Sequence, residues 1–175
     1  MKKLTVIILL FCMFFALSAC NNNNSTIDED TYQEDLVTDG FAIPLGDTGA
    51  KVAIPAEMGF ETFESKQNEF FGGGPNSEWA IIANTEAKSD YSDYSFTEYV
   101  SLTAQANEGT VKQDSNGNYY FTYIKEGSDA KVYKFYTAVR EGVNKYYRIA
   151  FYCFDDKWDY YSGKFEEWAM TIEVE

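Results

Sequence analysis

Three cysteines, 28 carboxylates and no histidine define the chemistry open to this chain of 175 residues. A Ser-His-Asp or Cys-His nucleophilic centre passes its proton through an imidazole, so both are excluded. Zinc centres of the usual kind draw on several His and Cys ligands, which the chain lacks. Cys12 lies inside an apolar leader and Cys20 at its end, which leaves Cys153 without a partner for an internal disulfide. In the apolar context Tyr152-Cys153-Phe154 it reads as a buried, inert thiol, because no base stands by to activate it. Paired Asp and Glu residues can cut a glycosidic bond, but no pair stands out in its local context. A carboxylate hydrolase therefore ranks third among the functional readings. No cofactor-binding pattern is present, and neither a cofactor nor a metal is expected.

Three loops carry spacings that invite a chemical reading. Gly72-Gly73-Gly74-Pro75 has the composition of a phosphate loop, yet no Lys-Ser or Lys-Thr follows and no helix begins there, so a hairpin loop is expected. Asp114-Ser115-Asn116-Gly117-Asn118 has the look of a calcium loop, but its glycine falls too early and Lys125 stands where the closing glutamate belongs. It reads as a turn. Asp155, Asp156 and Asp159 cluster where a helix begins, and the helix dipole accounts for acidic residues there. Calcium at these acidic clusters stays an open question.

The aromatic residues are the remaining candidates, with 14 Tyr, 14 Phe and 3 Trp. Tyr91 and Tyr94 sit in the polar run Ser89-Asp90-Tyr91-Ser92-Asp93-Tyr94-Ser95, and Tyr160-Tyr161 on a helix near the end. Tyrosines in such loops bury area at low entropy cost, which suits protein or carbohydrate contacts. The competing reading is that they cover the core. Tyr91, Tyr94 and Tyr160 are taken as the candidate binding surface.

Cys20 has the most specific context. Met1-Lys2-Lys3 precedes an apolar run from Leu4 to Leu17, closed by Ser18-Ala19-Cys20. These are the three parts of a secretory signal, and the run is too short to span a hydrocarbon core of ~30 Å comfortably. Leu17-Ser18-Ala19-Cys20 resembles the lipobox of bacterial lipoproteins. That resemblance implies a diacylglyceryl thioether on Cys20, cleavage before it, and palmitate-class acylation of the new amino terminus. Two such signals make anchoring durable where one chain binds marginally. The expected address is the extracytoplasmic face of a bacterial cell membrane, with the bilayer as partner through acylated Cys20.

The charge balance agrees with that division of labour. The net charge is −14, and removing a leader that carries Lys2 and Lys3 makes it more negative. Such a chain has no electrostatic footprint for nucleic acid and is repelled by anionic headgroups. Lipid, not the protein surface, would then hold it at the membrane. Only two basic residues are arginine, Arg140 and Arg148, a bias that fits an AT-rich genome.

The division of the chain follows composition: residues 1–19 a signal peptide, 20–35 a lipidated cysteine and disordered tether, 36–175 one domain. In the domain, Tyr119–Glu126, Lys131–Arg140 and Lys145–Phe154 read as three strands of a meander, joined at Gly127-Ser128-Asp129 and Glu141-Gly142-Val143-Asn144. Gly142 is placed to take positive φ. If Glu141 faces Asn144, one face carries Val132, Tyr136, Ala138, Tyr147, Ile149, Phe151 and Cys153. The other carries Tyr133, Phe135, Val139, Tyr146, Ala150, Tyr152 and Phe154. Neither face is polar, so both need cover. Ser95–Asn107, with a Ser95/Glu98 capping box, and Asp156–Met170 are the helices available. Phe41–Leu45 with Val52–Ile54, Glu69–Phe71 with Glu78–Asn84, and Thr171–Val174 read as further strands.

The order β-β-β-β-α-β-β-β-α-β, and above all the stretch Lys145–Val174 with Trp158, Phe165 and Trp168 between two strands, resembles the PsbP-like fold. The resemblance implies an α+β domain with a single antiparallel sheet and helices packed on both faces. It further implies a non-catalytic binding or assembly factor, and it carries over no functional residue. The expected function is therefore a membrane-anchored module for a cell-envelope protein partner, with a small-ligand or glycan-binding lipoprotein as the alternative.

Overall fold

Long aromatic strands occupy the centre of the molecule because both of their faces are apolar and must be covered. The computed structural model describes residues 42–175; the leader, Cys20, the tether and Phe41 lie outside the described residues. The strands are β1 (Ile43–Pro44), β2 (Ala50–Val52), β3 (Glu61–Thr62), β4 (Phe70–Gly73) and β5 (Trp79–Ala87). After helix α1 (Phe96–Ala106) come β6 (Thr110–Gln113), β7 (Tyr119–Glu126), β8 (Val132–Glu141) and β9 (Lys145–Phe154). Helix α2 (Trp158–Met170) and β10 (Glu173–Val174) follow.

The fold is α+β with antiparallel pairing, as expected, but the expected single sheet is corrected to two. Seven strands run in the order β3-β4-β5-β9-β8-β7-β6, and β1-β2-β10 form a separate three-stranded sheet. The final strand pairs with β2, with Glu173 opposite Lys51, so it never joins the meander. One helix lies over each face of the large sheet, and the second sheet shares one of those faces. Trp79, Ile81, Ala138, Ile149 and Phe151 pack under Phe165 and Trp168 of α2, together with Ile43 and Val52 of the small sheet. Ile82, Phe121, Phe135, Val139 and Ala150 pack under Tyr99, Val100 and Ala104 of α1.

The meander register differs from the expected one without disturbing the faces. Glu141 lies opposite Tyr146, not Asn144. Side chains alternate across a strand with a period of two, so this shift of two residues leaves each on the face assigned to it. Gly142 is not among the positive-φ residues. It is needed for a different reason: a Cβ there would collide with the backbone oxygen of Glu175.

Local signals account for the helices. Ser95 accepts from the backbone N–H of Glu98, whose carboxylate accepts in return from the N–H of Ser95 at 2.8 Å, so α1 starts on a complete capping box. Its stripe Tyr99, Val100, Thr103, Ala104 is buried. α2 begins without a side-chain cap, continuing a 3-10 turn at Asp155–Lys157, and buries Tyr161, Phe165, Trp168 and Ala169. Two short strands, β3 and β6, escape the sequence reading because they are mostly polar and exposed at opposite edges of the large sheet.

Candidate functional site

The three tyrosines chosen from the sequence do not form one surface. Tyr91 is 7 % exposed, packed edge-on against Tyr99 with ring centroids 4.9 Å apart, so its ring belongs to the core beneath α1. Tyr94 is half-buried at its side, with centroids 6.5 Å apart. Tyr160 is 62 % exposed on α2, the helix covering the opposite face of the sheet, with the ammonium of Lys164 5.0 Å from its ring centroid. Of the three, Tyr160 alone offers a largely free ring.

The chemistry-like loops resolve into structure. Gly72 and Gly73 belong to β4, and Gly74 donates its N–H to the carbonyl of Trp79 at 3.0 Å. A Cβ at Gly74 would run into the Trp79 indole. The glycines therefore admit a buried tryptophan. Asp114 accepts from the N–H groups of Asn116 (2.8 Å) and Asn118 (2.9 Å) and from the Asn118 amide (3.0 Å), so its carboxylate closes a turn. Asp155 pairs with Lys134 at 2.7 Å, and the described residues contain no group of three carboxylates or thiols placed to share a metal ion. Cys153 is buried at 2 % exposure, and burial, with the Asp156 carboxylate second, pushes its thiol up to about 12.

The feature that the sequence reading passed over is a pair of buried arginines. Arg148 on β9 reaches Glu86 on β5, Nη2 to Oε1 2.6 Å, with both side chains almost fully enclosed. Asn84 is the cross-strand neighbour of Arg148, and Glu86 lies two residues further along the same face, a diagonal that a long side chain spans readily. Thr137 on β8, Tyr123 on β7, and Tyr91 and Tyr99 beside and on α1 complete the surroundings. Burial first, and the nearby Glu86 carboxylate for Tyr91 and Tyr99, drive these phenols above the ordinary tyrosine range. The guanidinium stays charged: burial acts against the charge, but Glu86, with Tyr99, Tyr91 and Tyr123 behind it, together outweighs it. The second arginine, Arg140, donates from Nη2 to the carbonyl of Ala169 at 2.7 Å and from Nη1 to that of Tyr119 at 3.3 Å. It thereby ties the last turn of α2 to β7. The available signal was position: both arginines of the chain stand inside strands with apolar residues on both faces.

Two features open to solvent. On the α2 side, the small sheet covers the β4–β5 side and α2 covers β8 and β9, leaving β6 and β7 bare. Ile124 on β7 is 60 % exposed there, and Val132 at the start of β8 40 %, near Tyr120, which stacks on Tyr136 at 4.6 Å. Lys112, exposed opposite Tyr120, brings positive charge to that strip, while Lys134 opposite Ile124 is spent on Asp155. At the other edge, a groove of about 470 Å³ runs along Thr62–Phe71, with Phe63 and Phe71 as its aromatic wall at 5.2 Å between centroids.

No protein-family model matches the chain, and no curated protein matches it. Solved structures do. A crystal structure from Bacteroides thetaiotaomicron VPI-5482 superposes with a TM-score of 0.55 at 10 % identity, covering 79 % of this chain. The match takes in 49 % of that protein, so this chain spans about half its length. The solution structure of cyanobacterial PsbP (CyanoP) from Synechocystis sp. PCC 6803 superposes with a TM-score of 0.53 at 11 % identity, covering 91 % of this chain and 99 % of that one. Likeness at such identities is likeness of fold, and the fold it shows for this chain is PsbP-like.

Proposed function

We propose that this chain is a lipid-anchored extracytoplasmic protein whose domain is a non-catalytic interaction or assembly module. The anchor is Cys20 in Leu17-Ser18-Ala19-Cys20. The observation that carries the module is the bare strip of sheet on β6, β7 and the start of β8, where Ile124 and Val132 stand exposed beside Tyr120 in a position that α2 and the small sheet leave uncovered. Exposed apolar side chains on a sheet face otherwise packed by secondary structure mark a contact surface. Lys112 on the strip of a strongly acidic chain suits a partner with acidic residues around an apolar centre.

Two measurements test this. Cys20→Ser should release the protein from the membrane fraction and abolish lipid-dependent processing; unchanged association overturns the anchor. A photoreactive residue at position 124 should cross-link to one defined envelope protein, while the same residue at exposed Glu167 should not. Equal labelling from both positions removes the strip as the docking face.

The groove beside Phe63 and Phe71 favours a second reading, a small-ligand or glycan-binding lipoprotein, since an aromatic wall suits a sugar face. Saturable quenching of Phe63-region NMR signals by cell-wall glycans, lost in Phe63→Ala, distinguishes it from the first.

A further inference from the structure

The groove along Thr62–Phe71, at about 470 Å³, falls within the range of small-molecule sites, ~300–1,000 Å³. It is formed by the loop that joins β3 to β4, and hydrogen bonds hold that loop in one shape. Phe63 donates its N–H to the carbonyl of Phe71 at 2.9 Å, and Ser65 Oγ accepts from the N–H groups of Gln67 (3.2 Å) and Asn68 (3.0 Å). Asn84 on β5 donates its amide to Asn68 Oδ1 at 2.9 Å and accepts from the N–H of Glu69 at 3.2 Å. The Glu69 carboxylate accepts from the N–H and the hydroxyl of Thr85, at 2.8 and 2.9 Å. A loop ordered in advance lowers the entropy cost of binding. This network leaves two charged side chains of the groove unused. Glu64 and Lys66 are exposed, and neither enters an ion pair or a side-chain hydrogen bond among the described residues. Both share the groove with the rings of Phe63 and Phe71, whose centroids are 5.2 Å apart.

We propose that the groove binds a small zwitterion with an apolar side chain, of the size of a free amino acid or a dipeptide. Its ammonium pairs with Glu64, its carboxylate with Lys66, and its side chain lies on the Phe63–Phe71 wall. Charge selects this class. The chain carries a net charge of −14, which repels a simple anion, and a simple cation meets Lys66 at the site. A neutral sugar leaves both Glu64 and Lys66 without a partner. A zwitterion has no net charge and matches both signs at once. The proposal rests on the second reading, of the groove as a small-ligand site, and names the ligand.

Chemical-shift titration of the full chain with L-phenylalanine tests this, with saturable shifts expected at Phe63, Glu64 and Lys66. N-acetyl-L-phenylalanine lacks the ammonium and L-phenylalanine amide lacks the carboxylate. Each should bind about fivefold more weakly, the upper end for an ion pair open to water. Glu64→Gln should erase the preference over the acetylated analogue alone, and Lys66→Gln the preference over the amide alone. Both positions are exposed, so both variants should keep the thermal midpoint of the wild type. Equal affinity for the three probes, or preferences that neither substitution changes, overturns the proposal. So does saturation by an N-acetylglucosamine oligomer in place of phenylalanine, which keeps the groove as a ligand site and replaces its ligand. Binding of none of these probes overturns the proposal and the second reading together.

Discussion

Arg148 Nη2 lies 2.6 Å from Glu86 Oε1 at the centre of the α1 face, and the two form an ion pair between strands distant in sequence. A pair removed from water in this way adds little net stability, but breaking it strands a buried charge. Glu86→Gln and Arg148→Met should each destabilise the domain by about 3–5 kcal/mol in urea denaturation. The double variant Glu86→Leu/Arg148→Met should lose less than the sum of the singles, because it leaves neither charge behind. Additive losses would show that the two groups act separately.

Gly163 sits inside α2, exposed, where an added Cβ would meet nothing within 4 Å. Its backbone freedom is then simply unfavourable for a helix. Gly163→Ala should stabilise the protein by about 0.5–1 kcal/mol, readable as a higher thermal midpoint. A lower midpoint would mean that α2 needs flexibility at this point.

Gly74 should behave in the opposite way. Its missing Cβ makes room for Trp79, which is 1 % exposed and has nowhere to move. Gly74→Ala should cost about 1–3 kcal/mol and shift the Trp79 fluorescence, as overpacked cores do. A silent substitution would revive a role for the glycine run other than packing.

Cys153 should be inert in the native protein. Burial first, and Asp156 second, push its thiol up to about 12, so almost no thiolate is present near neutral pH. Maleimide labelling at about pH 8, mapped by peptide mass, should miss Cys153 until denaturant is added. Labelling under native conditions would place the thiol at a surface.

Asp114 gives a pH dependence. Burial raises its carboxyl, but the Asn118 side chain and the N–H groups of Asn118 and Asn116, with Arg140 beyond, outweigh burial and hold it below the usual carboxylate range. A depressed native value stabilises the fold above the unfolded pKa of about 3.9, and the benefit disappears as pH falls through the native value. The stability gap between the wild type and Asp114→Asn should therefore be open at about pH 6 and shrink by about pH 3. A constant gap would assign the effect of Asp114 to geometry alone.

The legible parts of the fold were those governed by local periodicity. The capping box at Ser95 and Glu98, the α1 stripe, the meander strands and the division of their residues between two faces all depend on neighbours within a turn or a strand. The register of β8 with β9 depends on how the Gly142–Lys145 loop closes, and it came out shifted by two residues. The pairing of β10 with β2 joins residues more than a hundred positions apart, and no local pattern announces it. The same holds for Tyr91. Its polar neighbours suggest a surface loop, while the fold turns its ring inward against Tyr99 and Tyr146.

From residue types alone, the chain is barred from histidine-dependent chemistry, carries one unpaired thiol in its domain, and must bury aromatic strands on both faces. These follow because composition and alternation are local properties. Where the chain's two arginines end up is another matter. Arg148 meets Glu86 only once β5 and β9 pair, and Arg140 meets the carbonyl of Ala169 only once α2 folds back over β8. Buried charge can exist only where long-range pairing supplies its partner, so that part of the molecule belongs to the tertiary structure.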